Sequence, residues 1–189
     1  FPGLLERLGR DESVQAVVEL LAWAEAEQVA IGVVGSGSNL LVADEGFRGL
    51  VLKLAGELTR IEREGTRVVC GGGARLPSAA AKAAGWGLAG LEFGVNIPGT
   101  VGGAVRMNAN AYGGELARVL EWVTVCTAEG SERRTPGELG FRYRDSDIGE
   151  REVVAEASFA LAEGDAEAVK ATMGEMRRKR KEAQPSGIK

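Results

Sequence analysis

Five segments of this sequence carry residue types that could do chemistry. The first, Gly35-Ser36-Gly37-Ser38-Asn39, sits between the apolar runs 29–34 and 40–42. Glycines let successive backbone N–H groups converge on an anion, and short Ser and Asn side chains add further hydrogen bonds. A diphosphate needs several donors at close range, which bulky side chains would block. A plain hairpin turn would use the same residues. The Gly-x-Gly-x-x-Gly spacing of a dinucleotide fingerprint is absent here, and a strand, not a helix, is expected next. No Gly-Lys-Ser/Thr marks a Walker loop either.

The second segment runs from Gly94 through Asn96, Ile97, Pro98, Gly99, Thr100, Val101, Gly102 and Gly103 to Ala104. Pro98 stiffens the chain while the glycines leave its surface bare. Thr100 is placed to cap a following helix and to present N–H groups to an anion. A helix contact built on small residues is the plainer alternative. The third, Met107-Asn108-Ala109-Asn110-Ala111-Tyr112-Gly113-Gly114-Glu115, reads either as a wall of a ligand site or as a helix end with Gly113 as its cap. The fourth, Phe141-Arg142-Tyr143-Arg144-Asp145-Ser146, sets two planar cationic forks suited to carboxylate or phosphate beside a tyrosine. On residue types alone, a surface charge cluster is the preferred reading. The fifth, Arg177-Arg178-Lys179-Arg180-Lys181, is read as a solvated, dipole-compensating helix end and not as a nucleic-acid contact.

The composition narrows the field. Glycine makes up 28 of 189 residues, about twice the usual ~7%. It has no Gly-X-Y period and clusters between apolar stretches, as expected for tight turns and close approach to a ligand. The formal net charge of −4, from 23 basic and 27 acidic residues, argues against a nucleic-acid partner. No apolar run approaches the ~20 residues of a membrane span, and no signal peptide is visible. Cys70 and Cys126 are too few for a disulfide framework, so a reducing compartment is expected. The sequence has 0 histidines, which removes the commonest general base and metal ligand. Redox chemistry would therefore need a bound organic cofactor and other side chains.

The elements that must position these segments follow from periodicity. Residues 11–28 predict an amphipathic helix capped by Asp11 or Ser13, with 29–34 as a buried strand. Residues 40–42 and 50–54 are strand-like. Residues 59–64 and 67–70 form strands about a Glu64-Gly65 turn, and 76–84 form an alanine-rich helix. Residues 104–112 are expected to turn helical. Residues 121–128 and 131–134 predict a hairpin, 136–139 a helical turn, and 153–161 a further strand. Asp165 opens a last helix running to about Ala183, before Pro185. The chain begins at Phe1 and stops at Ile188-Lys189, and residues are expected to be missing at both ends.

Taken in order, GSGSNLLVADEGF, GVNIPGTVGGAVRMNANAYGGE and ELGFRYRDSD resemble the UDP-N-acetylenolpyruvoylglucosamine reductase family, also called UDP-N-acetylmuramate dehydrogenase. The resemblance covers nearly all of the chain. It implies an α+β fold of α/β subdomains, the two-subdomain FAD-binding fold of the vanillyl-alcohol-oxidase (PCMH) type. Residues 1–55 would form subdomain 1 and 56–164 subdomain 2, with 165–189 a helix leading to a substrate domain. It further implies FAD held non-covalently, NADPH as co-substrate and a UDP-sugar substrate. The reaction would reduce UDP-N-acetylglucosamine enolpyruvate to UDP-N-acetylmuramate for peptidoglycan and cell-wall synthesis. A cytoplasmic monomer is implied, without nucleic-acid binding or membrane insertion.

Residue by residue, Arg144 matches the family's catalytic arginine in its Tyr-Arg-x-Ser motif, with Tyr143 beside it at the substrate. Gly35, Ser36, Gly37, Ser38, Asn39 and Leu40 match the pyrophosphate-facing loop. Ile97, Pro98, Gly99, Thr100, Gly102, Gly103 and Ala104 match the second flavin loop, and Asn108 the asparagine beyond it. Asn110 stands where the family has glycine, and the family's opening Thr-x-Gly-x-Gly-Gly has no match before Phe1. The family's proton donor and later catalytic glutamate are expected beyond Lys189. Two other readings remain at this point: another FAD oxidoreductase of the same fold, or a non-catalytic flavin-binding module.

Overall fold

The computed structural model describes residues 13–184. Helix α1, Val14–Ala26, opens them, and the Ser13 hydroxyl caps it by accepting from Ala16 N at 3.2 Å. The alternative cap Asp11 and the residues from Pro185 onward lie outside the described range. Strands β1 (Ile31–Val33) and β2 (Leu50–Leu52) pair in parallel. Residues 40–42, expected as a strand, form none: the stretch is exposed, Leu41 almost wholly so. Apolar content alone does not make a strand when no neighbouring edge takes up its N–H and C=O groups.

The larger sheet has five antiparallel strands in the order β3-β4-β10-β8-β9. These are Ile61–Glu64, Arg67–Gly71, Val153–Ala160, Leu120–Cys126 and Ser131–Arg134. Short strands Leu88–Ala89 (β5), Asn110–Ala111 (β6), Gly114–Glu115 (β7) and Ala162–Glu163 (β11) complete the set. The central position of β10 follows from its sequence, Val-Val-Ala-Glu-Ala-Ser-Phe-Ala. Nearly all of it is buried, as a strand covered on both faces requires. Val17 and Leu21 of α1 pack with Cys126, Val153 and Ala155 on one side of the sheet. Val154, Ala157 and Phe159 face a second core shared with α2 (Leu76–Gly85), α3 (Val101–Arg106) and α4 (Ala166–Ala183). Asp165 caps α4, its carboxylate accepting from Ala168 N at 2.8 Å.

One irregularity in β10 positions the rest. Val154 pairs with Val125 and Glu156 with Thr124, so Ala155 is an extra residue, a β-bulge. The bulge turns the Ala155 carbonyl toward the triple-glycine run after β4, where Gly72 N donates to it at 2.7 Å. Gly72 O in turn accepts from Gly102 N at 2.7 Å. The second glycine loop is thereby tied through one residue to the middle of the sheet. Residues 104–112, expected as helix, are not helical throughout. α3 starts three residues earlier, on the Thr100 cap, and stops at Arg106. Asn108 then takes a left-handed φ of 37° and the chain enters β6. Gly113 therefore caps no helix.

Candidate functional site

A cavity of about 890 Å³ lies between the β1–β2 layer, the end of β4, α3 and the loop before β10. That is within the range of small-molecule and cofactor sites. Gly35, Ser36, Gly37, Ser38, Asn39 and Leu40 line one side; Ile97, Pro98, Gly99, Thr100, Gly102, Gly103 and Ala104 line another. The two glycine loops, distant in sequence, touch. Ser36 Oγ donates to Pro98 O at 2.6 Å and lies 3.1 Å from Ser38 Oγ. A Cβ on Gly35 would come within 2.5 Å of Thr100 Oγ1, so only glycine allows this approach.

The loops contribute differently. The N–H groups of residues 35–39 meet no acceptor among the described residues and are free for an anion. In the second loop most donors are spent inside the chain. Gly99 N donates to Ile97 O, Gly102 N to Gly72 O, Ala104 N to Thr100 O, and Gly103 N to the Thr100 side chain at 3.4 Å. The expected anion-facing N–H groups after Thr100 are thus mostly consumed, and the loop offers bare surface instead. Cβ atoms built at Gly99 would meet no atom within 4 Å, and at Gly103 only Thr100 Oγ1 at 3.5 Å. Neither glycine is required by packing within the chain; both keep the cavity wall flat.

Arg144 lies on the cavity wall with a left-handed φ of 59°. Tyr143, next to it, is 81% exposed and lies outside the cavity lining. Asn108 is also outside it: the residue is buried and its amide is engaged entirely by the chain. The fold also brings to the cavity Lys53, Arg75, Arg106 and Glu152, none of which belongs to a glycine loop or to the Tyr143-Arg144 motif. Lys53 and Arg75 have no ion-pair or side-chain hydrogen-bond partner among the described residues and add positive potential near the free N–H groups. Single exposed cations carry no periodic signal, so nothing in the sequence marked them.

Glu152 is held firmly. Its carboxylate accepts from Arg134 Nη1 and Nη2 at 2.9 and 2.6 Å and from Gly149 N at 2.7 Å. The Arg134 hydrogen bonds chiefly hold its carboxyl below the ordinary value of 4.5. A carboxylate with a lowered folded-state pKa stabilises the protein above its unfolded value and loses that contribution as pH falls through the folded one. Glu152→Gln is therefore expected to cost about 1–3 kcal/mol at neutral pH and to flatten the loss of stability below about pH 4.5. Denaturant melts at pH 7 and pH 3 check this; an equal loss at both would contradict it.

The cysteines lie elsewhere. Burial pushes the Cys70 thiol up to about 12 and the Cys126 thiol up to about 11, and neither lines the cavity. No group of His, Cys, Asp and Glu suited to a metal occurs among the described residues. Nor, among them, is any helix long and apolar enough to cross a membrane. The basic run on α4 is not uniformly solvated, since Arg180 donates to Asn96 O at the edge of the second glycine loop.

The comparisons with known proteins agree with this geometry. Residues 10–136 match the family model described as FAD binding domain, and the chain belongs to that family. It is 46% identical over 168 residues to UDP-N-acetylenolpyruvoylglucosamine reductase 2 of Symbiobacterium thermophilum, covering 88% of this chain and 54% of that protein. The crystal structure of the corresponding reductase from Thermus caldophilus superposes with a TM-score of 0.80 at 37% identity, over 92% of this chain and 62% of that one. The oxidase of 6-hydroxy-D-nicotine from Arthrobacter nicotinovorans shares the fold, with a TM-score of 0.61 at 22% identity over 82% of this chain and 36% of that one. The resemblance read from the three motifs is borne out, as is the α+β FAD-binding fold. The chain spans 54–62% of the length of these reductases.

Proposed function

We propose that this chain holds FAD non-covalently in the cavity between its two glycine loops. It would form the flavin-binding part of an enzyme that uses NADPH to reduce UDP-N-acetylglucosamine enolpyruvate to UDP-N-acetylmuramate in peptidoglycan synthesis. The observation that carries this reading is the convergence of both glycine loops and Arg144 on one cavity. The residues fit the cofactor: free N–H groups at 35–39 suit a diphosphate, and bare glycines at 99 and 103 suit a flat ring system. The flavin, when bound, supplies the two-electron chemistry that no side chain here provides.

The protein's own part is positional and electrostatic. The loop of residues 35–39, with Lys53 and Arg75 nearby, would hold the diphosphate. Residues 97–104 would form the wall against the rings. Arg144, free of ion-pair partners among the described residues, would meet the carboxylate of the enolpyruvyl group. There it stabilises the negative charge that develops as the double bond is reduced. The buried, high-pKa cysteines outside the cavity support a non-covalent cofactor. We assign residues 1–55 and 56–164 to the two flavin-binding subdomains and 165–189 to the connection toward a substrate domain. A monomer acting in the cytoplasm completes the reading.

The test begins with colour. Purified protein should show a flavin spectrum that acid precipitation releases into the supernatant. In the intact protein containing this chain, NADPH oxidation should depend on UDP-N-acetylglucosamine enolpyruvate; none, with flavin bound, would overturn the reaction. Arg144→Lys should leave FAD affinity within about twofold while lowering kcat by about 10²-fold or more, because a point charge replaces the bidentate fork. Unchanged turnover would remove Arg144 from this role.

A further inference from the structure

Arg144 is held in a conformation that its residue type disfavours. Arg142 N donates to Asp145 O at 3.0 Å, and Asp145 N donates to Arg142 O at 3.3 Å, closing a two-residue turn on Tyr143 and Arg144. With φ at 59°, Arg144 occupies a left-handed position that residues carrying a Cβ disfavour. Such a turn persists only where its surroundings over-determine it.

Two side chains do so. Asn108 is 1% exposed, and its Nδ2 donates to Arg142 O at 3.1 Å and to Glu115 Oε1 at 2.7 Å. Its Oδ1 accepts from Ala117 N at 3.2 Å. Every polar atom of the amide is thus satisfied by the chain, and one of its bonds ends on the first residue of the turn. From the solvent side, the Arg142 guanidinium binds Asp145 at 2.8 Å and Asp147 at 2.7 Å, bracing the residues that follow. Ser146 Oγ, donating to Arg106 O at 2.7 Å, and Arg106 Nη1, donating to Gly149 O at 2.8 Å, fasten the same loop to the end of α3.

We infer that Asn108 and Arg142 are positioning residues that lock the Tyr143-Arg144 turn and so aim the Arg144 guanidinium into the cavity. Asn108 acts from within the core, outside the cavity lining; Arg142 acts from the surface. The functional consequence rests on the proposed role of Arg144; the structural one does not. Losing either side chain frees the turn to relax toward conformations with φ below zero, and the guanidinium leaves the wall for most of the time.

Hydrogen exchange and kinetics on the intact, FAD-loaded protein test this together. In Asn108→Ala, the Asp145 amide should exchange about tenfold faster, as loss of roughly one buried hydrogen bond implies, while the β10 amides keep their wild-type rates. kcat for UDP-N-acetylglucosamine enolpyruvate should fall about tenfold with FAD affinity within twofold, and Asn108→Ala should cost nothing further in an Arg144→Lys background. Arg142→Ala, which removes only an exposed side chain, should speed Asp145 exchange by about threefold and remain folded if Asn108→Ala does not. Unchanged Asp145 exchange in these variants, or fully additive losses with Arg144→Lys, would overturn the inference. Unchanged turnover in Arg144→Lys alone would instead overturn the role of Arg144, with the exchange result still deciding whether the turn is locked.

Discussion

Gly72→Ala should lower the melting temperature by about 10 °C or more, the cost of forcing a methyl group into packed backbone. A Cβ at Gly72 would lie 1.9 Å from Val154 O and 2.9 Å from Val154 C. Neither atom is the free end of a side chain, so relief requires moving the central strand. Retreat of Gly72 would in turn stretch two 2.7 Å hydrogen bonds, the one it donates to Ala155 O and the one it accepts from Gly102 N. The same substitution therefore loosens the sheet and detaches the second glycine loop. Gly174→Ala is the control: it lies within α4, where an added Cβ meets nothing within 4 Å. Alanine there should be neutral or stabilising by about 0.5–1 kcal/mol. Thermal melts followed by circular dichroism compare the two; a Gly72→Ala melt within 2–3 °C of wild type would mean that the bulge of β10 is far softer than its hydrogen bonds suggest.

That contrast explains what was legible in the sequence. Elements with their own period or cap could be read directly: α1, the β3–β4 and β8–β9 hairpins, and α4 with Asp165 at its start all lie within a few residues of where pattern placed them. The pairing of β10 with both β4 and β8, and its bulge at Ala155, could not be read, because register is set by partners remote in sequence. The triple-glycine run Gly71-Gly72-Gly73 leads in sequence toward α2 and carries no period of its own. Its role as a close contact with β10 appears only once Val154 O is in place. The same division holds at the site. Glycine loops announce themselves by composition, and all thirteen of their assigned residues reach the cavity. Asn108 shared the second loop's neighbourhood in sequence but turns inward, since the left-handed step there redirects its side chain to Arg142 O. Lys53 and Arg75 carried no local signal at all.

Gly99→Leu should leave the fold intact and weaken FAD binding by about 100-fold or more. Gly99 is the inverse case of Gly72. Gly99 carries no positive φ, its N–H and C=O are both satisfied, by Ile97 O and Leu76 N, and an added Cβ meets no atom within 4 Å. Nothing in the chain itself requires glycine at this position. Yet Gly99 lines the cavity, between Pro98, which stiffens the loop, and Thr100, which caps α3. On the proposed reading, its bareness lets the flavin approach the backbone closely. A leucine side chain would take that volume, and a loop fixed by Ser36, Leu76 and the Thr100 cap has little freedom to withdraw. The cost is lost contact plus steric exclusion, and each 1.4 kcal/mol forfeited is tenfold in affinity. Two measurements decide it: the melting temperature of the flavin-free variant, expected within 2–3 °C of wild type, and its FAD Kd from quenching of flavin fluorescence. Normal affinity in the folded variant would show that the flavin rings lie elsewhere in the cavity, and would leave residues 35–39 as the only glycine loop with a cofactor to hold.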